Sequence, residues 1–133
     1  MEMVFLMNNK LYHGAAYYPE LWTEKDIEED IRYMKEAGIN VARMAEFAWA
    51  VMEPEQDNID VSFFVDIIKR LYKNGIETVI CTPTPTPPIW MSDGHPERMF
   101  VNENGDKMSH GARQHVCTNN SFMRERSRII IEE

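Results

Sequence analysis

Apolar residues recur along this chain with the spacing of helices and of short buried strands. In residues 24–37 they fall every three or four positions, as on one face of an amphipathic helix: Ile27, Ile31, Met34 and Ala37. Thr23 precedes this stretch and Asp26 follows three positions later, which predicts a capping box at the start of the helix. Gly38 stands where a left-handed residue would end the helix.

The same pattern occurs a second time. A second helix is predicted to begin at Asp60 or Ser62 and to end at Gly75. Its apolar positions are Phe64, Ile67, Ile68 and Leu71. Short apolar runs predict strands at residues 11–17, 39–45 and 78–81. Because these strands alternate with helices, the chain is predicted to form successive βα units with a parallel sheet.

A third helix is predicted from Asn120 or Ser121 to the last residue. No phosphate-binding glycine motif follows any predicted strand; Tyr, Glu, Trp, Thr and Pro stand at the strand ends instead. This favours a (β/α)8 barrel, which builds its sites from strand-end side chains. Such barrels take about 250 residues. Residues 1–133 are therefore predicted to be the incomplete N-terminal part of one barrel domain, with about three βα units.

The segment after the third predicted strand is rich in proline. Residues 82–90 contain four prolines, which exclude a helix or a central strand there. A rigid loop on the binding face is favoured over a polyproline linker, and a cis peptide bond remains an alternative to the usual trans form. Residues 92–120 are polar and irregular, with turn signals at residues 93–94 and 104–105. Loops of this length usually carry function or are disordered.

Charge and composition narrow the classes of partner. The chain has 14 Lys and Arg against 22 Asp and Glu, a net charge of −8, which argues against nucleic acid and anionic membranes as partners. No apolar run approaches the roughly 20 residues of a membrane span, and residues 4–7 are too short for a signal-peptide core. A cytoplasmic location is therefore expected. The two cysteines are expected to be free thiols.

Charged and aromatic residues follow the second predicted strand. Arg43 lies within this apolar strand, where a charge needs a partner, and Glu46, Phe47 and Trp49 come directly after it. Ligand sites of α/β sheets lie at this end of the strands. The pattern fits either a ligand site or an internal Arg–Glu ion pair covered by two rings.

Four sequence blocks together resemble the glycoside hydrolase family 42 β-galactosidases, in the order and spacing of that family. The blocks are residues 17–22 (Tyr-Tyr-Pro-Glu-Leu-Trp), residues 46–54 (with Glu-Phe-Ala-Trp and Glu-Pro), residues 84–90 (Thr-Pro-Thr-Pro-Pro-Ile-Trp) and residues 111–117 (Gly-Ala-Arg-Gln-His-Val-Cys). The resemblance implies a (β/α)8 barrel that hydrolyses terminal β-D-galactosides with retention in carbohydrate metabolism. It also implies a homo-oligomer, a trimer, in the full-length protein.

The resemblance further implies that neither catalytic glutamate lies in this chain. In the family the acid/base follows the fourth strand in an Asn-Glu pair and the nucleophile follows the seventh strand, so both are expected beyond Glu133. By resemblance, Arg113 contacts galactose and Glu46 positions the sugar or binds a hydroxyl. Arg43 resembles an arginine that keeps the nucleophile ionised, with a structural ion pair to Glu46 as the alternative.

Two tryptophans and one cysteine complete the predicted site. Trp49 and Trp90 offer flat faces for a sugar ring, and for each a core position is the equal alternative. Cys117 matches a cysteine that binds zinc in some members of the family, together with three later cysteines that this chain lacks. No cofactor is expected to be required, and zinc is an option only for the full-length protein.

Two other functions stay open at the level of sequence. One is a non-catalytic partial barrel that binds sugar or self-associates through an unpaired edge strand. The other is a related β-glycosidase with a different substrate. In either case the 133-residue chain alone is expected to hydrolyse no galactoside.

Overall fold

The computed structural model describes residues 10–133 and contains a three-stranded parallel sheet covered by helices. The elements in chain order are β1 (Gly14–Ala16), α1 (Glu24–Glu36), β2 (Val41–Met44), α2 (Trp49–Met52), α3 (Ser62–Lys73), β3 (Glu77–Ile80) and α4 (Ser121–Glu132). The strands are hydrogen-bonded in the order β1-β2-β3. These are successive βα units of a (β/α)8 barrel, as predicted. The apolar run at residues 4–7 lies outside the described residues.

The helix ends follow the predicted local signals. The Thr23 N–H donates to the Asp26 carboxylate at 3.0 Å, and the Asp26 N–H donates to the Thr23 hydroxyl at 3.3 Å, which closes the capping box. At the start of α3, Asp60 Oδ1 accepts the Ser62 N–H at 2.8 Å. Gly38 and Gly75 adopt φ values of +74° and +78°, a conformation that favours glycine, where α1 and α3 end.

Some element bounds differ from the predictions. β1 is shorter than the predicted strand 11–17, and β3 lies one residue earlier than 78–81. The Asn40 side chain accepts from the His13 N–H and donates to the Leu11 carbonyl. With the backbone bond from the Asn40 N–H to the His13 carbonyl, these bonds hold the residues just before β1. Helix α2 was not predicted, because four residues are too few to show a helical period. Residues 10–133 contain no cis peptide bond.

The strand alternation places charge and core on opposite faces of β2. Ala42 and Met44 are fully buried, and they lie on the side where α1, α3 and α4 pack. Arg43 points the other way, to the face that it shares in register with Ala16 and Val79. That face is open in the described part of the chain. No helix in residues 10–133 has the length and apolar character that crossing a bilayer requires.

Candidate functional site

An ion pair lies at the carboxyl end of β2. Arg43 Nη1 donates to Glu46 Oε2 at 2.7 Å, and the two side chains are 44% and 23% exposed. Between them Ala45 adopts a φ of +73°, which turns the chain sharply after the strand. The hydrogen bond from Arg43 lowers the pKa of Glu46 below its ordinary value, and the same bond raises the pKa of Arg43. The Arg–Glu ion pair, which was one of the two alternatives from sequence, is therefore present, and it lies on the open face of the sheet.

The long loop after β3 carries a third charged residue to the same place. The Gln114 N–H donates to the Pro85 carbonyl at 2.8 Å, which ties this part of the loop to the proline-rich segment. The guanidinium carbon of Arg113 lies 4.3 Å from the centroid of the Phe47 ring. Its charge also contributes to the lowered pKa of Glu46. The structure thus brings Arg43, Glu46 and Arg113 together.

Two stacked aromatic rings lie next to this cluster. Tyr18, just after β1, stacks on Phe47, just after β2, with ring centroids 5.8 Å apart and planes inclined by 17°. The stack joins the ends of two strands that are neighbours in the sheet. This stack was not among the contacts that the sequence predicted. The only signal was that each ring stands next to a charged or aromatic residue at a strand end.

The two tryptophans lie elsewhere. Trp49 has no exposed surface, and its Nε1 donates to Glu53 Oε2 at 2.9 Å. Of its two predicted roles, the structure therefore favours the core ring and not the sugar-stacking face. A buried indole needs such an acceptor for its N–H. Trp90 is half-buried, and its Nε1 donates to the Glu53 carbonyl at 3.0 Å. It is anchored at Glu53, in the segment that follows α2, and a contact with sugar stays a prediction for it.

A buried charge network was missed at the level of sequence. Arg126, from α4, pairs with the fully buried carboxylate of Glu53 and donates to Asp57 Oδ1 at 2.6 Å. Burial lowers the pKa of Arg126. One signal was available, since Arg126 falls at helical spacing between Met123 and Ile130 on the buried face of α4. A charge at such a position needs a buried partner.

Cys117 does not have the surroundings of a metal site. It is half-buried, and the described residues contain no cluster of three or more His, Cys, Asp or Glu that could hold a metal ion. The neighbouring His110 and His115 rings lie 4.8 Å apart at 71°, and burial lowers the pKa of His110. Zinc takes about four ligands, so the residues around Cys117 do not by themselves fit it.

One more carboxyl at this edge of the sheet has a perturbed pKa. Glu20 lies in the short 3₁₀ turn Pro19–Leu21, which follows β1. Burial raises its pKa above the ordinary value. Its Oε2 is buried and makes no hydrogen bond within residues 10–133. Glu20 is therefore destabilised as an anion, whereas Glu46 is stabilised as one.

Comparison with known proteins shows that this chain is similar to β-galactosidases. The sequence profile of glycoside hydrolase family 42, described as β-galactosidase, matches residues 16–133. The β-galactosidase YesZ of Bacillus licheniformis is 63% identical over 126 residues, which cover 95% of this chain and 19% of that protein. The β-galactosidase BgaA of Clostridium cellulovorans is 41% identical over 119 residues, 90% of this chain and 18% of that protein.

The solved structures to which this chain is similar are also β-galactosidases. The polyextremophilic β-galactosidase from the Antarctic haloarchaeon Halorubrum lacusprofundi superposes with a TM-score of 0.86 at 37% identity. The β-galactosidase of Bacillus circulans sp. alkalophilus superposes with a TM-score of 0.85 at 34% identity. These matches cover 92% and 91% of this chain and 18% of each of those chains. The chain therefore spans about a fifth of the length of the relatives that it matches.

Proposed function

The chain belongs to the glycoside hydrolase family 42 β-galactosidases, and we propose that it forms part of the sugar-binding face of a retaining β-galactosidase barrel. One observation carries the proposal. Arg43, Glu46 and Arg113 come from a strand, a strand end and a distant loop, yet they converge at the carboxyl ends of the parallel strands. Barrel enzymes bind their substrates at this end of the strands.

The charges of these three side chains suit a neutral sugar. Glu46 is held as a carboxylate by Arg43, so it accepts hydrogen bonds from hydroxyl groups. Arg113 makes no side-chain hydrogen bond or ion pair with any residue in 10–133, so its N–H groups are free to donate to sugar oxygens. A net charge of −8 is compatible with an uncharged substrate, and we propose a terminal β-D-galactoside.

The catalytic acids are proposed to be other residues. Retaining hydrolysis needs two carboxyl groups about 5–5.5 Å apart, one of them protonated to serve as the acid. Glu46 is unsuited to be that acid because Arg43 lowers its pKa, and the Glu53 carboxylate is occupied by Arg126 and Trp49. We therefore assign both catalytic glutamates to parts of the enzyme outside this chain. A role in carbohydrate catabolism, a cytoplasmic location and a homo-oligomer belong to the same proposal.

A hybrid protein tests the proposal directly. In this hybrid enzyme, residues 1–133 replace the matching segment of the YesZ β-galactosidase of Bacillus licheniformis, which is 63% identical. We expect nitrophenyl β-galactoside to be hydrolysed, with the β-anomer of galactose as the first product by NMR. The Arg113→Ala variant should lower kcat/KM about tenfold or more, because a charged hydrogen bond to the sugar is lost. Arg32→Ala, which breaks an exposed pair with Glu36 on α1, is the matched control.

The result can contradict the proposal in two ways. A folded hybrid enzyme without β-galactosidase activity would contradict it, and so would a preference for other nitrophenyl β-glycosides. The second outcome would favour a related β-glycosidase with another substrate.

A second candidate function is self-association of a non-catalytic partial barrel. It is favoured by Val79 and Ile80 of β3, which are each 49% exposed on the last strand of the three-stranded sheet. Unpaired apolar edge strands promote association between chains. Sedimentation velocity of the 133-residue chain, with and without galactose, tests this candidate. A monomer that does not respond to galactose would exclude it.

A further inference from the structure

We propose that Phe47 is a positioning residue, which holds the guanidinium of Arg113 in the orientation that binds the sugar. This inference rests on the proposed function, because Arg113 is taken to contact the substrate. Phe47 itself is not assigned a contact with the sugar. Its role is to act through Arg113.

The first support is the way in which Arg113 is held. It is exposed and lies on a loop without regular structure, which runs from residue 81 to residue 120 apart from two short 3₁₀ turns. Within residues 10–133 its side chain forms no hydrogen bond and no ion pair. Its guanidinium carbon nevertheless lies 4.3 Å from the Phe47 ring centroid, well inside the roughly 6 Å range of a cation–π contact. The ring face is therefore the specific contact that orients this side chain.

The second support is that Phe47 is itself fixed from several sides. Its ring stacks on Tyr18 at a centroid distance of 5.8 Å. On its N-terminal side, Ala45 has a positive φ and is fully buried; on its C-terminal side, Ala48 and Trp49 are fully buried at the start of α2. A ring that is anchored in this way cannot easily follow a moving arginine. The guanidinium of Arg113 therefore packs against a ring whose position is fixed.

The third support is the chemistry of arginine itself. An exposed arginine has many rotamers, and most of them do not direct the N–H groups toward a bound sugar. A planar guanidinium lying on a fixed ring loses most of this freedom before substrate arrives, while its N–H groups at the rim stay free to donate. Preorganisation of this kind increases the productive fraction of complexes. Tyr18 and Phe47 thus come from two neighbouring strand ends, and Arg113 reaches Phe47 from the long loop that follows β3.

A double-mutant cycle in the hybrid enzyme tests the inference. Phe47→Met keeps an apolar side chain of similar length and removes the ring. We expect it to lower kcat/KM about two- to fivefold, the loss that corresponds to an exposed cation–π contact. In the Arg113→Ala background the same substitution should have no further effect on kcat/KM. Phe47→Tyr, which keeps the ring face, should retain the kcat/KM of the parent.

The chain offers a matched control for loss of an Arg–Phe contact. Arg98 lies 3.7 Å from the ring centroid of Phe122, which is half-buried on α4. Phe122→Met removes this second contact away from the Arg43–Glu46 pair. It should lower the melting temperature as Phe47→Met does, and leave kcat/KM unchanged.

Several outcomes would overturn the inference. An equal loss of kcat/KM in the Arg113 and Arg113→Ala backgrounds would show that Phe47 is only structural, and an unchanged kcat/KM in Phe47→Met would show that the ring is dispensable. If Phe47→Met does not fold, Arg113→Lys at the exposed end of the stack replaces it, because lysine keeps the charge and lacks the planar face. Lysine with parental kcat/KM would then overturn the inference. An inactive parent hybrid would overturn the proposed function and this inference together, whereas an active parent with any of the outcomes above overturns the inference alone.

Discussion

The guanidinium of Arg126 pairs with the carboxylate of Glu53 across 73 positions of sequence, and both side chains are buried. Glu53 also accepts the Trp49 indole N–H at 2.9 Å and the Asp57 backbone N–H at 3.0 Å. The pair therefore ties α4 to the segment that follows α2. This segment follows the Arg43–Glu46 pair in the chain, so the network holds in place the backbone next to the candidate site.

Removing the cation of this network should strongly destabilise the chain. Arg126→Met leaves the Glu53 carboxylate buried without its charged partner, and breaking a buried pair in this way costs about 3–5 kcal/mol. Urea unfolding followed by tryptophan fluorescence measures the change, since the Trp49 and Trp90 N–H groups both donate to Glu53.

Arg128→Met on the same helix is the matched control. Arg128 pairs with Glu125 and Glu132, but all three side chains are more than half exposed, so its removal should cost about 1 kcal/mol or less. Adding Glu53→Gln to Arg126→Met should recover part of the lost free energy of unfolding. Equal losses of unfolding free energy for Arg126→Met and Arg128→Met would show that the buried pair stabilises the chain no more than the exposed pairs do.

The charge on Glu46 is expected to matter for binding more than for folding. Glu46→Gln in the hybrid enzyme replaces a carboxylate by a neutral amide and leaves Arg43 without its partner. We expect kcat/KM to fall about tenfold or more, because a charge-assisted hydrogen bond to a hydroxyl group is lost. Glu36→Gln, which breaks the 3.0 Å pair with Arg32 on α1, should leave kcat/KM at the parental value. A parental kcat/KM in Glu46→Gln would show that the Glu46 carboxylate takes no part in binding the substrate.

Glu20 should make stability depend on pH. Burial raises the pKa of Glu20 above its ordinary value, so the folded chain holds this proton more tightly than the unfolded chain. The stability from protonated Glu20 is fully present below the unfolded pKa and is lost as the pH rises through the folded pKa. Glu20→Gln should therefore raise the urea midpoint at about pH 7 and change it less at about pH 4.

Glu28→Gln provides the control for the Glu20 experiment. Glu28 is exposed on α1 and has no ion-pair partner in residues 10–133. Its substitution should shift the urea midpoint little at either pH. If Glu20→Gln behaves in the same way as Glu28→Gln, the burial of Glu20 has no energetic consequence.

The 133-residue chain by itself should hydrolyse no nitrophenyl β-galactoside. The reason is the assignment of the carboxylates: Glu46 is held as an anion by Arg43, and Glu53 is bonded to Arg126. A colorimetric assay of purified chain at high protein concentration, with the hybrid enzyme as positive control, measures this. Turnover above the rate of a purified Arg113→Ala chain would show that a catalytic pair lies within these residues.

Local sequence signals were sufficient for the helix ends and for the class of fold. The capping box of Thr23 and Asp26 and the left-handed glycines Gly38 and Gly75 act within a few residues, so they are readable without a structure. The recurrence of helix, glycine and strand was enough to predict the parallel βα units. The position of Arg43 in an apolar strand also indicated a charge with a nearby partner.

Tertiary structure alone decided which of the candidate side chains meet. Trp49 and Phe47 stand two positions apart, yet one ring is buried against Glu53 and the other lies under Arg113. Burial and contact depend on packing between segments that are distant in sequence, such as α4 against the residues after α2. The amino-acid sequence determines the local elements because their forces act over a few residues. The pairing of Glu53 with Arg126 and the contact of Arg113 with Phe47 depend on how those elements pack, which no local pattern encodes.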